Sequence, residues 1–182
     1  MKPLKLVHSR FIRAFRSGLT LGDLLQLAGC LGGFSLIAVP LGLATGLLRL
    51  APPADAISTL LLYIPASFVL PSLIEETIFR VLFIPHPSER VSERRLRLAC
   101  AVSLILFVLW HPMNAALFAP WTKPLFFRLD FLVIAAILGV GATYLYRRTG
   151  SVWAPVLFHW IIVLAWKLGL GGSVITFGPP TA

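Results

Sequence analysis

Charge is what this chain has least of. Only 13% of its 182 residues are Asp, Glu, Lys or Arg, against roughly 25% in an ordinary soluble domain. Acid is scarcer still, with seven Asp and Glu against 16 Lys and Arg. So little polar surface cannot cover a water-facing globule. A hydrophobic share of 58% and a mean hydropathy of +0.88 point to lipid as the solvent. Cysteine is nearly absent. Cys30 and Cys100 have no closely spaced partner, which speaks against a disulfide framework and against Cys-ligated zinc. There is no H-E-x-x-H, so the zincin arrangement is missing. No internal repeat or low-complexity tract occurs. The net charge of +9 does not indicate nucleic acid, because no soluble module carries the basic clusters. They lie between apolar runs, as in chains anchored against anionic lipid on the cytoplasmic face.

The pattern predicts an all-α, polytopic transmembrane bundle of about five to six membrane helices behind an N-terminal interfacial segment. Residues 1–20 carry Lys2, Lys5, Arg10, Arg13 and Arg16 among Leu, Ile and Phe, an amphipathic, interface-seeking composition. Residues 21–182 read as one domain. The first apolar run, 24–50, far exceeds a signal-peptide core of about 7–15 residues and reads as a first span ended by Ala51, Pro52 and Pro53. Its glycines Gly29, Gly32, Gly33, Gly42 and Gly46 are expected to bring helices close together. The second span, 57–84, holds Pro65 and Pro71 and is expected to kink or split. Ser88–Arg97 reads as a solvated connecting helix. Further spans follow at 98–119, 129–146 and 152–170. With five spans, the basic N-terminus, the 88–97 loop and Arg147–Arg148 all fall on the cytoplasmic side. The C-terminus is then outside.

Ionisable groups inside these spans carry the functional information, since each costs about 2.5–3.5 kcal/mol or more to insert. Glu76 and Arg80 are four residues apart, on one helix face, so Arg80 can neutralise Glu76. Glu75 points about 100° round the helix and needs another partner or water. The bland alternative, an ion pair near a helix end with Arg80 snorkelling to the headgroups, leaves Glu75 unexplained. His111 lies mid-span beside Pro112, with Asn114 one turn on. His159 stands about two turns, or about 10 Å, from the cytoplasmic end of the last span. Three helices thus bring an acid pair and two imidazoles towards one layer. Two histidines and a glutamate can order a water, take its proton and protonate a leaving amine, and can stabilise an oxyanion.

These residues resemble a known family. Glu75-Glu76-x-x-x-Arg80 is similar to the EExxxR motif of the CAAX protease and bacteriocin-processing (CPBP, or Abi) family. Phe107-x-x-x-His111 is similar to its FxxxH motif. The run from Tyr146 through Thr149-Gly150-Ser151 to His159 resembles its last motif region. The likeness covers about 70–165. It implies an intramembrane endopeptidase related to the type II CAAX prenyl endopeptidases. In that family the first motif glutamate activates water, which gives Glu75 the role of base and His111 and His159 those of catalytic partners. Glu76, Arg80 and Phe107 would support them. Many members carry Asn or Asp four residues after the last histidine; here that position is Val163, and Asn114 is the candidate substitute.

The expected function is hydrolysis of a peptide bond by a glutamate-activated water supported by two histidines. The expected partners are a peptide or membrane-protein substrate, lipidated or not, and membrane lipid. No metal or cofactor is expected, on the mechanism favoured for that family. Sequence alone leaves zinc open, and Glu75, His111 and His159 would then be its two-histidine, one-carboxylate set. The competing functions are an inactive membrane scaffold or immunity-like protein, and a proton carrier, beside whose path Arg80 would be a fixed charge. A cavity open to the cytoplasm is expected between the second, third and fifth spans, splayed by Pro71, Pro112 and Pro155.

Overall fold

The computed structural model describes residues 3–51 and 57–172. Among them the architecture is all-α, with a lone β-bridge between Ala51 and Leu170. The order is α1 (Pro3–Arg16), α2 (Leu21–Ala44), α3 (Ile57–Ser67), a π-helical stretch π1 (Phe68–Leu73), α4 (Ile74–Glu76), a second stretch π2 (Thr77–Leu82), α5 (Glu93–Leu117), a 3-10 turn (Pro120–Thr122), α6 (Lys123–Phe126), α7 (Leu129–Thr149) and α8 (Trp153–Gly169). Among the described residues four helical runs are long and apolar enough to cross a membrane: Leu21–Ala44, Leu61–Leu82, Glu93–Leu117 and Leu129–Thr149. The apolar α8 is shorter, at 17 residues, or about 26 Å. Exposed Leu25, Leu36, Leu61, Ile105, Leu109 and Val140 give the bundle an apolar exterior suited to lipid.

Two ends of the bundle are defined by hydrogen bonds. At the basic end the Val152 amide donates to Ala14 O (3.0 Å) and the Ser151 hydroxyl to Ser17 O (2.7 Å). Arg147 donates to Pro85 O (2.7 Å). At the far end Arg128 donates to Thr45 O (3.0 Å), and the Arg49 and Ala51 amides donate to Leu170 O and Gly169 O.

Helix α2 starts at a reciprocal cap. The Thr20 hydroxyl accepts from the Asp23 amide, and the Asp23 carboxylate accepts from the Thr20 amide. It ends earlier than the apolar run suggests. Gly46 takes a left-handed φ of +68°, the Leu48 amide turns back to Gly42 O (2.9 Å), and residues 49–51 pair with the end of α8. The expected 24–50 span is therefore a helix over 21–44 plus a return loop. Pro52 and Pro53, expected to end that span, lie outside the described residues. Gly29, Gly32 and Gly33 face open space rather than a packed helix, and Gly42 meets Leu48 of its own return loop. Close approach is used instead on α7. A Cβ on Gly141 would stand 2.8 Å from the Phe158 ring, and one on Gly139 would stand 2.7 Å from Leu104 and 3.0 Å from Phe107. The larger core cluster forms here, around Phe34, Phe79, Phe107, Leu138 and Phe158.

The second span kinks at Pro71, as its prolines predict. Leu70 is extended (φ −124°, ψ 113°) before a cis bond to Pro71, in keeping with the bias of pre-proline residues away from the helical region. The Ile64 carbonyl accepts from the Ser67 hydroxyl and from Trp160 Nε1, each at 3.0 Å, which ties the kink to α8. Pro112 does not interrupt α5, which runs on to Leu117. Pro155 sits in the first turn of α8, where a missing N–H costs little. Of the three prolines expected to splay helices, only Pro71 breaks one.

The polar segment 88–97 also departs from expectation. Its second half is the first turn of α5, capped by Ser92. Its first half is tucked under α1. Glu89 takes Arg10 on both oxygens (2.6 and 2.8 Å) and accepts the His86 amide (2.8 Å). Arg10 also donates to Leu82 O (2.8 Å). Burial pushes the Glu89 carboxyl up, but the Arg10 hydrogen bond, the His86 N–H and the Arg10 charge outweigh it and hold the group below its ordinary value. A lowered folded-state pKa gives stability that is present above the unfolded value of about 4.3 and lost as pH falls through the folded value. Glu89→Gln should lower stability at pH 7 by about 1–3 kcal/mol. The gap from wild type should narrow in thermal melts below about pH 4. A gap independent of pH would show that the Glu89 charge is not what fastens α1.

Candidate active site

The acid pair lies on α4, between the two π-helical stretches. Such stretches shift side-chain register and recur at functional sites. Glu76 and Arg80 are both fully buried, and Arg80 Nε lies 2.9 Å from Glu76 Oε2. The other Glu76 oxygen meets His159 Nδ1 at 2.9 Å. Arg80 also donates to the Ser103 hydroxyl (3.3 Å), which itself donates to Phe79 O. The guanidinium carbon sits 4.7 Å from the Phe107 ring centroid, a desolvated cation–π geometry. Glu76 is thus ion-paired with an arginine at one oxygen and met by a histidine at the other.

Glu75 is placed differently. Its Oε1 accepts from Trp110 Nε1 at 3.2 Å. Its Oε2 has no hydrogen-bond partner among the described residues. Glu75 lines a cavity of about 680 Å³ that is also lined by His111, Asn114, His159 and Val163. His111 Nδ1 is tied to Phe107 O (3.0 Å), and its ring is held edge-on by Phe107, Phe126 and Phe131 at 5.2–5.3 Å. The His159 ring stands 6.0 Å from Phe107, so both imidazoles contact one phenyl ring. In both histidines Nδ1 is engaged, which leaves Nε2 for a ligand.

Every candidate residue named from the sequence falls in this region. Glu75, Phe107, His111, Asn114 and His159 line the cavity, while Glu76 and Arg80 stand behind it. Sequence reasoning missed Ser103, Trp110, Phe126 and Phe131. Ser103 was findable, since Ser103, Phe107 and His111 recur at four-residue steps on one face of α5. No spacing signalled the other three. The fit to zinc is poor: among the described residues no three His, Cys, Asp or Glu side chains are grouped to hold a metal ion, and Glu75, His111 and His159 are separately engaged as described.

The cavity's course differs from expectation. Its lining continues along α2, α5 and α8 to Leu47, Leu48, Trp121, Thr122, Lys167 and Leu170. All of these lie at or near the far end. None of the residues that define the basic end lines it. The lining therefore runs away from the basic clusters. Helix ends fix this course, and hydropathy does not report their relative depth.

Comparison with known proteins adds one finding. A family described as Type II CAAX prenyl endopeptidase Rce1-like has a model that matches residues 57–165. That interval contains α3 to α7, most of α8 and all seven candidate residues, and excludes α1 and α2. No curated protein and no solved structure matches the chain.

Proposed function

This chain belongs to the Rce1-like family of type II CAAX prenyl endopeptidases, and from that premise we propose that it is a glutamic-type intramembrane endopeptidase. Glu75 is the base. It takes a proton from a water in the cavity as the water oxygen attacks the scissile carbonyl carbon. With the Nδ1–H groups of His111 and His159 donated to Phe107 O and to Glu76, an Nε2 lone pair accepts the water's other hydrogen and orients it, and the Asn114 amide is the donor offered to the oxyanion. When the C–N bond breaks, the proton on Glu75 passes to the departing amine. Glu76 acts through His159: a carboxylate on Nδ1 fixes the tautomer and ring direction. Arg80 pairs with Glu76, and Phe107 packs against both imidazoles. Protein groups alone carry these steps.

One observation carries the reading. Of two adjacent buried glutamates, Glu76 is ion-paired with Arg80 and bonded to His159, whereas Glu75, which lines the cavity, is in no ion pair among the described residues and is bonded through one oxygen to Trp110 alone. The substrate is a peptide or membrane-protein segment, lipidated or not, and residues 21–182 act as one protease domain. The basic end and the N-terminus are assigned to the cytoplasm by the basic-residue rule. On that assignment the cavity leads towards the opposite face, and a substrate segment enters from there.

Val163 in the cavity wall favours a second reading, a scaffold that binds without cleaving. Purified protein in liposomes, exhaustively chelated, should cleave a quenched fluorogenic peptide at more than about half the untreated rate, because no step needs a Lewis acid. Loss of cleavage restored only by zinc would overturn the metal-free mechanism. A protein that binds peptides and cleaves none would favour the scaffold.

A further inference from the structure

The two glutamates tie their segment to two different helices. Glu76 meets His159 of α8 at 2.9 Å. Glu75 meets α5, where Trp110 Nε1, at 3.2 Å, is its one hydrogen-bond partner among the described residues. An indole N–H can only donate, so a carboxylate oxygen suits it as a partner. Trp110 directly precedes His111 and stands one turn before Asn114 on the same strip of α5. All three line the cavity with Glu75. The indole is partly buried, and its ring is tilted against Phe118 just past the end of α5, with centroids 6.4 Å apart. A glutamate side chain has several torsions to fix, and fixing them costs entropy. Among the described residues no other hydrogen bond sets which way the Glu75 carboxylate points. The mechanism above gives Trp110 no part.

We propose that Trp110 is a positioning residue for the reaction: its indole N–H holds the Glu75 carboxylate in a fixed place relative to His111 and Asn114. The inference rests on the endopeptidase reading, which makes Glu75 the base. In this role Trp110 touches neither water nor substrate. It donates to one oxygen of the base, and the proton from water goes to the other. Its contribution is geometric, since a displacement of about 1 Å at a reacting group can cost about 10²-fold in rate. One turn of α5 thereby fixes the base, carries an imidazole and offers the Asn114 amide.

The test uses the full-length protein in liposomes and a quenched fluorogenic peptide. Trp110→Phe keeps an aromatic ring and deletes the N–H. Its kcat should fall about 10–100-fold while KM stays within about twofold of wild type. The benzothiophene analogue of tryptophan, placed at position 110, keeps the bicyclic shape and puts sulfur where the N–H was. It should lose the same factor, and it carries the kinetic comparison alone if Trp110→Phe does not fold. In a Glu75→Gln background the base is already gone, so Trp110→Phe should change the residual rate by less than about twofold. An analogue with wild-type kcat would show that ring shape is what matters and would overturn the inference. An equal loss in both backgrounds would overturn it too, as would a loss carried by KM. The bond itself is read from the indole N–H signals of a proton–nitrogen correlation spectrum, with the Trp110 signal assigned by its disappearance in Trp110→Phe. Glu75→Leu should move that signal upfield by more than those of the other four tryptophans, and an unmoved signal would contradict the bond. A wild-type protein that cleaves no peptide while its Trp110 signal responds to Glu75→Leu would sink the endopeptidase reading and take the positioning role with it. Wild-type cleavage together with an undiminished Trp110→Phe rate would sink the positioning role alone.

Discussion

Glu75→Gln should slow peptide cleavage by about 10³-fold, within the 10²–10⁴ range for a positioned general base, while KM changes little. Glutamine keeps the size of the side chain and can still accept from Trp110 Nε1, so the cavity wall is preserved. What is lost is the oxygen that takes the proton from water. Stability should change by less than about 1 kcal/mol, because no ion pair is broken. The checks are kcat and KM on a fluorogenic peptide and a thermal melt of the same preparation. Unchanged kcat would remove Glu75 from the chemistry. A fall in both kcat and melting temperature would mean that the acid is structural.

The second large effect belongs to Glu76. Glu76→Gln leaves Arg80 as a fully buried charge without its carboxylate, a lesion expected to cost about 3–5 kcal/mol. It also removes the acceptor at His159 Nδ1, so activity should fall as well. These two consequences are separable. In a Glu76→Leu, Arg80→Met double variant the buried charges disappear together, and apolar replacement of a buried pair is commonly neutral or stabilising. Stability should return to within about 1 kcal/mol of wild type, with a strong coupling energy in the double-mutant cycle. Activity should not return, because His159 is no longer oriented. Denaturation curves and kcat for the four proteins give the answer. Recovery of both would mean that Glu76 only balances Arg80, and recovery of neither would point to a packing role for the pair.

Much of this was legible in the sequence because it rests on spacing within single helices. The four-residue step from Glu76 to Arg80 predicts their pairing, and the ion pair is there at 2.9 Å. The same step from Phe107 to His111 places both on one face, and the Phe107 carbonyl meets the imidazole. Proline chemistry marked the kink at Pro71. What was not legible depends on contacts between helices. Trp110 reaches Glu75 across 35 positions of sequence, and Phe126 and Phe131 close round His111 from another part of the chain. Hydropathy missed the end of α2 because both sides of the Gly46 turn are apolar. The packing value of the α2 glycines was overread, since small residues permit close approach but do not show which face is packed.

The claim on which everything rests is that Glu75 and the two histidines act on one water. An experimental map of the wild-type protein in lipid, at a resolution that shows ordered solvent, tests it most directly. The account predicts a water, or the oxygen of a bound carbonyl-mimicking inhibitor, within about 2.6–3.2 Å of Glu75 Oε2 and of Nε2 of at least one histidine. The other histidine should reach it directly or through one further water. Imidazoles turned away from Glu75, with lipid or side chains filling the space between them, would contradict it.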